Sequence, residues 1–142
     1  MSKTLQFKQS RDLHPSLTDP GTGTLNAHKL TGRWLNTDLN TEGLAQITIK
    51  HDGNEFSVSA LGVGADGPIE WPATRARPLA NLEEEGGQRA LALAADFEFG
   101  FMRAETYLRV NKGVLVIVLY NTFRDGSGRQ SYLTREFFYR QI

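Results

Sequence analysis

The sequence predicts an all-β fold, an antiparallel up-and-down β-barrel of about eight strands. Three observations support this prediction. From residue 30 to residue 140, apolar and polar residues alternate in short runs, as they do along strands with one buried face. Turns that contain glycine separate these runs, and no connection is long enough to hold a crossover helix. A β-sandwich is the alternative, but its Greek-key connections need longer loops than most of these turns provide.

The 142 residues correspond to one domain, which is large enough to form its own core. We expect the barrel domain to span residues 30–142. Residues 1–29 contain Pro15, Pro20 and several small polar residues with no sustained period. They predict an irregular N-terminal arm that packs on or beside the barrel.

The first strands of the barrel are predicted on either side of a tight turn. Residues 30–38, which surround Trp34, form the first predicted strand. Residues 43–50 and 55–60 alternate between apolar and polar side chains, and Asp52–Gly53 lies between them. Because Asp-Gly accepts the positive φ angles of a two-residue turn, these two segments predict a β-hairpin.

The middle of the chain interrupts this regular pattern. Residues 62–68 are rich in glycine and predict a loop. Residues 69–79 have strand-like composition, but Pro72 and Pro78 cannot donate hydrogen bonds to a ladder. We therefore expect an irregular or edge strand there. The acidic residues 81–87 predict a solvated hairpin tip.

Two further strands are predicted at residues 89–99 and 102–110, and their alternation leaves two assignments open. One face of the first strand carries the apolar residues Leu91, Leu93, Ala95, Phe97 and Phe99. We expect this face to line the lumen, which leaves Asp96 and Glu98 outside, where they can pair with Arg103 or Arg109. The inverse assignment would gather a polar cluster inside the barrel, with shifted pKa values and a capacity for acid–base chemistry. Its members would be Asp96, Glu98, Arg103, Glu105 and Tyr107.

The last two predicted strands are residues 114–120 and 130–140, preceded by turns at 111–113 and 125–128. Every residue from Val114 to Tyr120 is apolar, which is typical of a strand that is covered on both faces. We therefore predict that the outer face of this strand forms the interface of a homo-oligomer.

Composition and charge exclude several classes of function. Sixteen basic and 16 acidic residues give a net charge of zero, which argues against nucleic-acid binding. Without cysteine there can be no disulfide, thiolate metal site or cysteine nucleophile. The three histidines lack metal-ligand spacing and the chain lacks a nucleophile elbow, so we predict neither a metal nor a cofactor. No run approaches the ~20 apolar residues of a membrane span and no signal segment is evident, so we expect a cytoplasmic protein.

The motif Gly32-x-Trp34, ahead of a meander with arginines near its end, resembles the calycin superfamily of lipocalins, fatty-acid-binding proteins and avidins. The resemblance implies that Trp34 packs across the closed end of the barrel. It also implies that an arginine from the last strand region lies over the indole ring, a cation–π contact. Arg135 is the candidate for this arginine, and Arg140 is the alternative.

Residues 32–36 also resemble the first strand of avidins. By that resemblance Trp34, Asn36 and Asp38 would point into the lumen. Avidins surround biotin with further tryptophans on later strands, whereas this chain has only Trp71 in addition to Trp34. Biotin is therefore not the ligand that we expect.

The resemblance implies a lipocalin-like barrel that binds a small, largely apolar molecule in its lumen. The candidate ligand-binding residues are Trp34, Asn36, Asp38, Phe56, Trp71, Phe97, Tyr107, Tyr120 and Arg135. One alternative is an enzyme of the isomerase or cyclase type that acts on a hydrophobic substrate in the same cavity. Its candidate catalytic residues are Asp38, Tyr107, Tyr120 and Arg135. The other alternative is a structural or assembly protein whose barrel is filled by its own side chains.

Overall fold

A computed structural model describes residues 29–53, 55–80 and 90–142 of the chain. Eight strands run through these residues. They are β1 (Gly32–Asn36), β2 (Leu44–Asp52), β3 (Glu55–Gly64), β4 (Gly67–Ala80), β5 (Ala90–Glu98), β6 (Met102–Asn111), β7 (Val114–Phe123) and β8 (Tyr132–Arg140). The N-terminal arm predicted at 1–29 falls almost wholly outside the described residues, and so does the acidic hairpin tip predicted at 81–87.

Each strand pairs in antiparallel fashion with the next one along the chain, and β1 pairs with β8. Trp34 of β1 is opposite Arg140 of β8 in this closing ladder. The sheet is therefore a closed up-and-down barrel, as the sequence predicts, and the β-sandwich alternative is wrong. Because the barrel is closed, β1 and β8 leave no free sheet edge between them.

Tight turns join strands where the sequence places them. β6 and β7 are linked by Lys112 and Gly113, whose φ angles are 52° and 81°. Positive φ at both positions is what a type I′ hairpin turn requires. Gly53, between β2 and β3, has a φ of 61°. These turns keep consecutive strands adjacent and so establish the meander.

The glycine-rich segment predicted as a loop is instead mostly strand. β3 continues to Gly64, and β4 begins at Gly67, so that only Ala65 and Asp66 connect them. A Cβ atom on Gly64 would lie 2.6 Å from the carbonyl oxygen of Gly67. Only glycine fits this close approach of two backbones, so the glycines shorten the loop rather than lengthen it.

β4 accommodates two prolines because its pairing is interrupted. Pro72 lies where the register against β3 shifts, between the partners Val58 and Ala60. The pairs with β5 run only from Ala76 to Ala80, so the first part of β4 is bonded to β3 alone. The predicted edge strand is therefore correct for the first part of β4 and wrong for the second. Pro78 is paired across to Leu93 in the second part.

Alternate residues of every strand point inward and form the core. Side chains with at most 1% of their surface exposed include Leu30, Ile47, Ile49, Val58, Leu93, Leu108, Leu115, Ile117 and Phe138. Full burial of such a side chain stabilises a fold by about 1.5–3 kcal/mol. The interior of the barrel is therefore packed with side chains, and Trp34 is also fully buried there.

The apolar face of β5 lines the lumen, as predicted. Leu93, Ala95 and Phe97 are buried, whereas the carboxylates of the same strand are exposed. Arg103 on the outer surface of β6 binds Asp96 at 2.9 Å. Glu98 and Glu105 lie 3.7 and 3.9 Å from the same guanidinium. The inverse assignment, a polar cluster inside the barrel, is therefore wrong.

The apolar strand β7 presents different residues to its two sides. Leu115, Ile117 and Leu119 are buried inside, and Val116 and Val118 are half-buried outside. The outward residues of β7 lie beside Tyr107 of β6 and beside Leu133, Phe137 and Tyr139 of β8. We call this surface the outer apolar face and define it as Tyr107, Val114, Val116, Val118, Tyr120, Leu133, Phe137 and Tyr139.

Candidate functional site

The end of the barrel at which β1 begins is closed by Trp34. Its indole is 1% exposed, and its Nε1 donates a hydrogen bond of 2.9 Å to the carbonyl oxygen of Leu30. The guanidinium of Arg140 lies 4.7 Å from the ring centroid. Arg140, the alternative partner, is therefore the arginine over Trp34, and Arg135 is not. A cation–π contact of this kind contributes about 0.5–2 kcal/mol.

The opposite end of the barrel holds an open cavity of about 520 Å³. A volume of that size is typical of sites for small molecules. Its apolar wall is formed by Leu44, Val63, Ile69, Trp71, Phe99, Phe101, Met102 and Leu119. Its polar lining consists of Glu42, Asn121, Tyr132, Thr134, Arg135 and Glu136. The cavity is therefore apolar with a few polar groups at defined positions.

Trp71 forms one side of the cavity because the strand beside it carries a glycine. The indole packs edge-on against Phe97 at 5.1 Å and against Phe99 at 4.8 Å between ring centroids. A Cβ atom on Gly62 would lie 3.3 Å from the indole Nε1. A larger residue there would press on the ring, so Gly62 leaves room for the Trp71 indole. Among the described residues, none accepts a hydrogen bond from the Trp71 Nε1 group.

The loop between β7 and β8 borders the same end. Arg129 in this loop stacks over Phe123 at 4.1 Å and lies 5.7 Å from the Phe101 ring. Asp125 holds Arg129 through a hydrogen bond of 2.8 Å and accepts another from the backbone N–H of Ser127. Hydrogen bonds from Ser127, together with those from Arg129, lower the pKa of Asp125 to about 2. The loop is thus ordered by a charged turn beside the cavity.

Glu136 points inward from β8, although its chain neighbour Arg135 is on the outer side. Its Oε1 accepts hydrogen bonds from Asn36 Nδ2 at 3.0 Å and from Thr41 Oγ1 at 3.1 Å. A Cβ atom on Gly43 would lie 2.8 Å from that oxygen. The loop between β1 and β2 therefore packs closely on the carboxylate and fixes its position.

Asn121 is the most unusual polar residue of the cavity. It is 4% exposed, and its Oδ1 has no hydrogen-bond partner. A buried amide oxygen without a donor costs about 1–3 kcal/mol relative to a paired one. By contrast, the buried Thr106 hydroxyl on the neighbouring strand donates to the carbonyl oxygen of Ala95 at 2.7 Å. The Asn121 oxygen is therefore a buried acceptor that no described residue uses, in a side chain that lines the cavity.

Several residues predicted to bind a ligand lie at or below the open cavity. Trp71 lines it, and Phe97 is buried against Trp71. Asn36 points inward, as predicted, and is 6% exposed. Its amide is occupied by hydrogen bonds to Leu44 and Glu136, so it positions the carboxylate.

Other predicted residues are buried without lining this cavity. Trp34 is at the opposite end of the barrel. Phe56 is 3% exposed and stacks on His51 with 4.2 Å between the ring centroids. Both residues belong to the packed interior.

Four predicted residues do not face the lumen, which corrects the expectation drawn from the sequence. Asp38 is exposed because β1 ends at Asn36, so the alternation stops before it. Its carboxylate instead accepts a hydrogen bond from the backbone of Asn40. Tyr107, Tyr120 and Arg135 are also exposed, since they alternate with buried residues of their strands. Arg135 reaches only the rim of the cavity, and its guanidinium lies 5.4 Å from the Phe137 ring.

Sequence reasoning missed Glu136 and Asn121, although a signal for each is present. Choosing Arg140 as the partner of Trp34 sets the alternation of β8 and places Glu136 inside. Asn121 continues the inward series of β7 directly after Leu119. A polar residue that continues a buried apolar series is a candidate site residue because its burial is costly.

No family model, curated protein or solved structure matches the chain. Inference about its function therefore rests on the geometry of the open end of the barrel. Within residues 29–53, 55–80 and 90–142, no group of His, Cys, Asp or Glu side chains is placed to hold a metal ion. The same residues include no helix that is long and apolar enough to cross a membrane. The arrangement is suited to enclosing an apolar molecule. The polar side chains that could orient it are those of Glu136 and Asn121.

Proposed function

We propose that the protein is a lipocalin-like binding protein that holds a small, largely apolar molecule at the open end of its barrel. The observation that carries the proposal is the unpaired Oδ1 of Asn121, a residue that is 4% exposed and lines a cavity of about 520 Å³. A buried polar group without a partner is costly, and a ligand that reached this oxygen and donated a hydrogen bond would remove that cost. The surrounding wall is apolar and aromatic, which favours a ligand with an apolar body.

The two alternatives have less support. A barrel filled by its own side chains would leave no room for this cavity. An enzyme acting through Asp38, Tyr107, Tyr120 and Arg135 would need these side chains at the cavity. The first three are exposed elsewhere, and Arg135 reaches only the rim. Binding without chemistry is therefore the simpler proposal.

Titration with the fluorescent probe N-phenylnaphthylamine tests this proposal, because its emission rises in an apolar environment. We expect saturable binding of the probe. Thr134→Trp places a large ring in the cavity and should weaken probe binding at least about fivefold. Leu133→Trp is the matched control, because Leu133 is the chain neighbour of Thr134 but is 57% exposed on the outer apolar face. Equal binding by wild type and Thr134→Trp would contradict the proposal.

We further propose that the outer apolar face binds a second copy of this chain. The registers place its residues side by side: Tyr107 is paired with Val118, Val116 with Phe137, and Tyr120 with Leu133. Five of its members are exposed by 41–57%: Tyr107, Tyr120, Leu133, Phe137 and Tyr139. A largely apolar surface of this kind, in which Arg135 lies between Leu133 and Phe137, is typical of an interface.

A second copy is favoured as the occupant because the surface carries both signs of charge at its borders. Glu105 is paired across to Tyr120, and Arg109 is paired across to Val116. A two-fold axis through the surface could bring an acidic border of one copy against a basic border of the other.

Sedimentation at micromolar concentration tests this second proposal. We expect a mass above that of the monomer for wild type and a monomer for Phe137→Glu. Leu39→Glu is the control, since Leu39 is 88% exposed and lies in the loop between β1 and β2. A strictly monomeric wild type would contradict the proposal.

A further inference from the structure

The Glu136 carboxylate forms no ion pair with the described part of the chain. Both hydrogen bonds to the carboxylate come from neutral groups, Asn36 and Thr41, and both go to Oε1. Oε2 receives no hydrogen bond from the described residues, and none of their basic side chains lies within 4.0 Å. A half-buried carboxylate in such a setting favours a cationic partner, because charge-assisted hydrogen bonds are about twice as strong as neutral ones.

The wall opposite such a cation would be aromatic. Trp71, Phe99 and Phe101 all line the cavity. A protonated amine is attracted to the face of an aromatic ring, most strongly to that of tryptophan. The cavity therefore sets the half-buried carboxylate of Glu136, and the exposed one of Glu42, against rings that tolerate a positive charge.

Asn121 supplies a second and separate contact. In the ladder of β7 and β8, Asn121 is paired with Tyr132, and Glu136 is paired with Ile117. Four residues of strand therefore separate the two polar side chains, a distance of about 13 Å along the strands. One small group cannot meet both side chains, so a ligand that satisfies them must be elongated.

We propose that the cavity selects an elongated amine, with its ammonium group on Glu136 and a second hydrogen-bond donor on the Oδ1 of Asn121. The inference rests on the proposed binding function and names the chemical class of its ligand. The apolar wall between the two contacts would hold a hydrocarbon spacer. A carboxylic acid of the same length would be repelled by Glu136.

Competition against bound N-phenylnaphthylamine tests the first contact. Hexylamine, hexanol and hexanoate have the same chain length and differ in the end group. We expect hexylamine to bind at least about tenfold more tightly than hexanol, with hexanoate weakest. Glu136→Gln should remove the preference for the amine, so that hexylamine and hexanol compete equally against the probe in this variant. Glu42→Gln is the matched control, because Glu42 lines the same cavity but is exposed, and it should preserve the preference.

The second contact is tested with aminohexanol, which adds a hydroxyl donor to the far end of hexylamine. Replacing Asn121 with leucine should weaken aminohexanol relative to hexylamine by about fivefold, the loss of one hydrogen bond. An unchanged ratio would overturn the proposal.

The outcomes also separate this inference from the proposed function. If the probe does not bind at all, the binding function itself is wrong. If the probe binds but hexylamine shows no preference over hexanol, or keeps its preference in Glu136→Gln, only the choice of an amine is wrong.

Discussion

Replacing Asn121 with leucine should make the unliganded protein more stable, which is the opposite of most substitutions of buried residues. The amide is 4% exposed and its Oδ1 lacks a donor. Removing this unpaired group avoids a cost of about 1–3 kcal/mol, and the leucine side chain adds apolar burial beside Leu119. We therefore expect the free energy of unfolding to rise by about 1–3 kcal/mol. The melting temperature should increase by about 2–4 °C for each kcal/mol in a chain of this size.

Urea unfolding followed by circular dichroism measures this change, with the slope m unchanged between variants. Thr106→Val is the matched control. Thr106 is 1% exposed but donates a hydrogen bond of 2.7 Å to Ala95, so the variant should lose about 0.5–1.5 kcal/mol. A loss of stability in Asn121→Leu as large as that in Thr106→Val would refute the reasoning, since it would mean that the amide is paired in the folded protein.

Three further predictions concern the two ends of the barrel and its charged loop. Gly43→Ala should displace the Glu136 carboxylate, because its Oε1 would lie 2.8 Å from the new Cβ. Hexylamine binding should weaken severalfold while the probe binds as before, and competition titration measures both. Arg140→Leu should lower the free energy of unfolding by about 0.5–2 kcal/mol, because the cation over Trp34 is lost; urea unfolding that matches wild type would contradict this. For Asp125, a folded pKa of about 2, below the usual 3.8, implies a stabilisation that is present above about pH 4 and lost as pH falls through about 2. The difference in stability between wild type and Asp125→Asn should therefore shrink over that range, and a constant difference would contradict the prediction.

The barrel could be predicted from the sequence because its determinants are local. The period of two sets the face of each side chain, and turns such as Lys112–Gly113 keep neighbouring strands together. The closure of β1 on β8 follows once eight such strands are present. The inward face of β5 could also be predicted. One orientation of the strand buries Leu93 and Phe97, whereas the other would bury the charged Asp96 at a cost in free energy.

The site could be predicted only in part because it depends on where strands end and how they are aligned. Asp38 was predicted inside on an alternation that stops at Asn36. The inward position of Glu136 follows from the pairing of β8 with β1, which sequence spacing does not give. The lack of a partner for Asn121 is a property of its three-dimensional neighbours and has no counterpart in the sequence.

The proline-containing strand β4 shows that prediction of the fold has the same limit. Pro72 correctly indicates that regular pairing is interrupted. It does not show that β5 would pair with the second part of the strand, from Ala76 onward. Composition thus indicates an irregularity, whereas the partner of each residue depends on the closed sheet.

The most direct test of ligand binding in the barrel is nuclear Overhauser contact between bound N-phenylnaphthylamine and methyl groups of the protein. The account predicts contacts from the probe to the methyl groups of Leu119 and Met102, which line the cavity. Contacts confined to Val116 and Val118 would place the probe on the outer apolar face and would contradict the account.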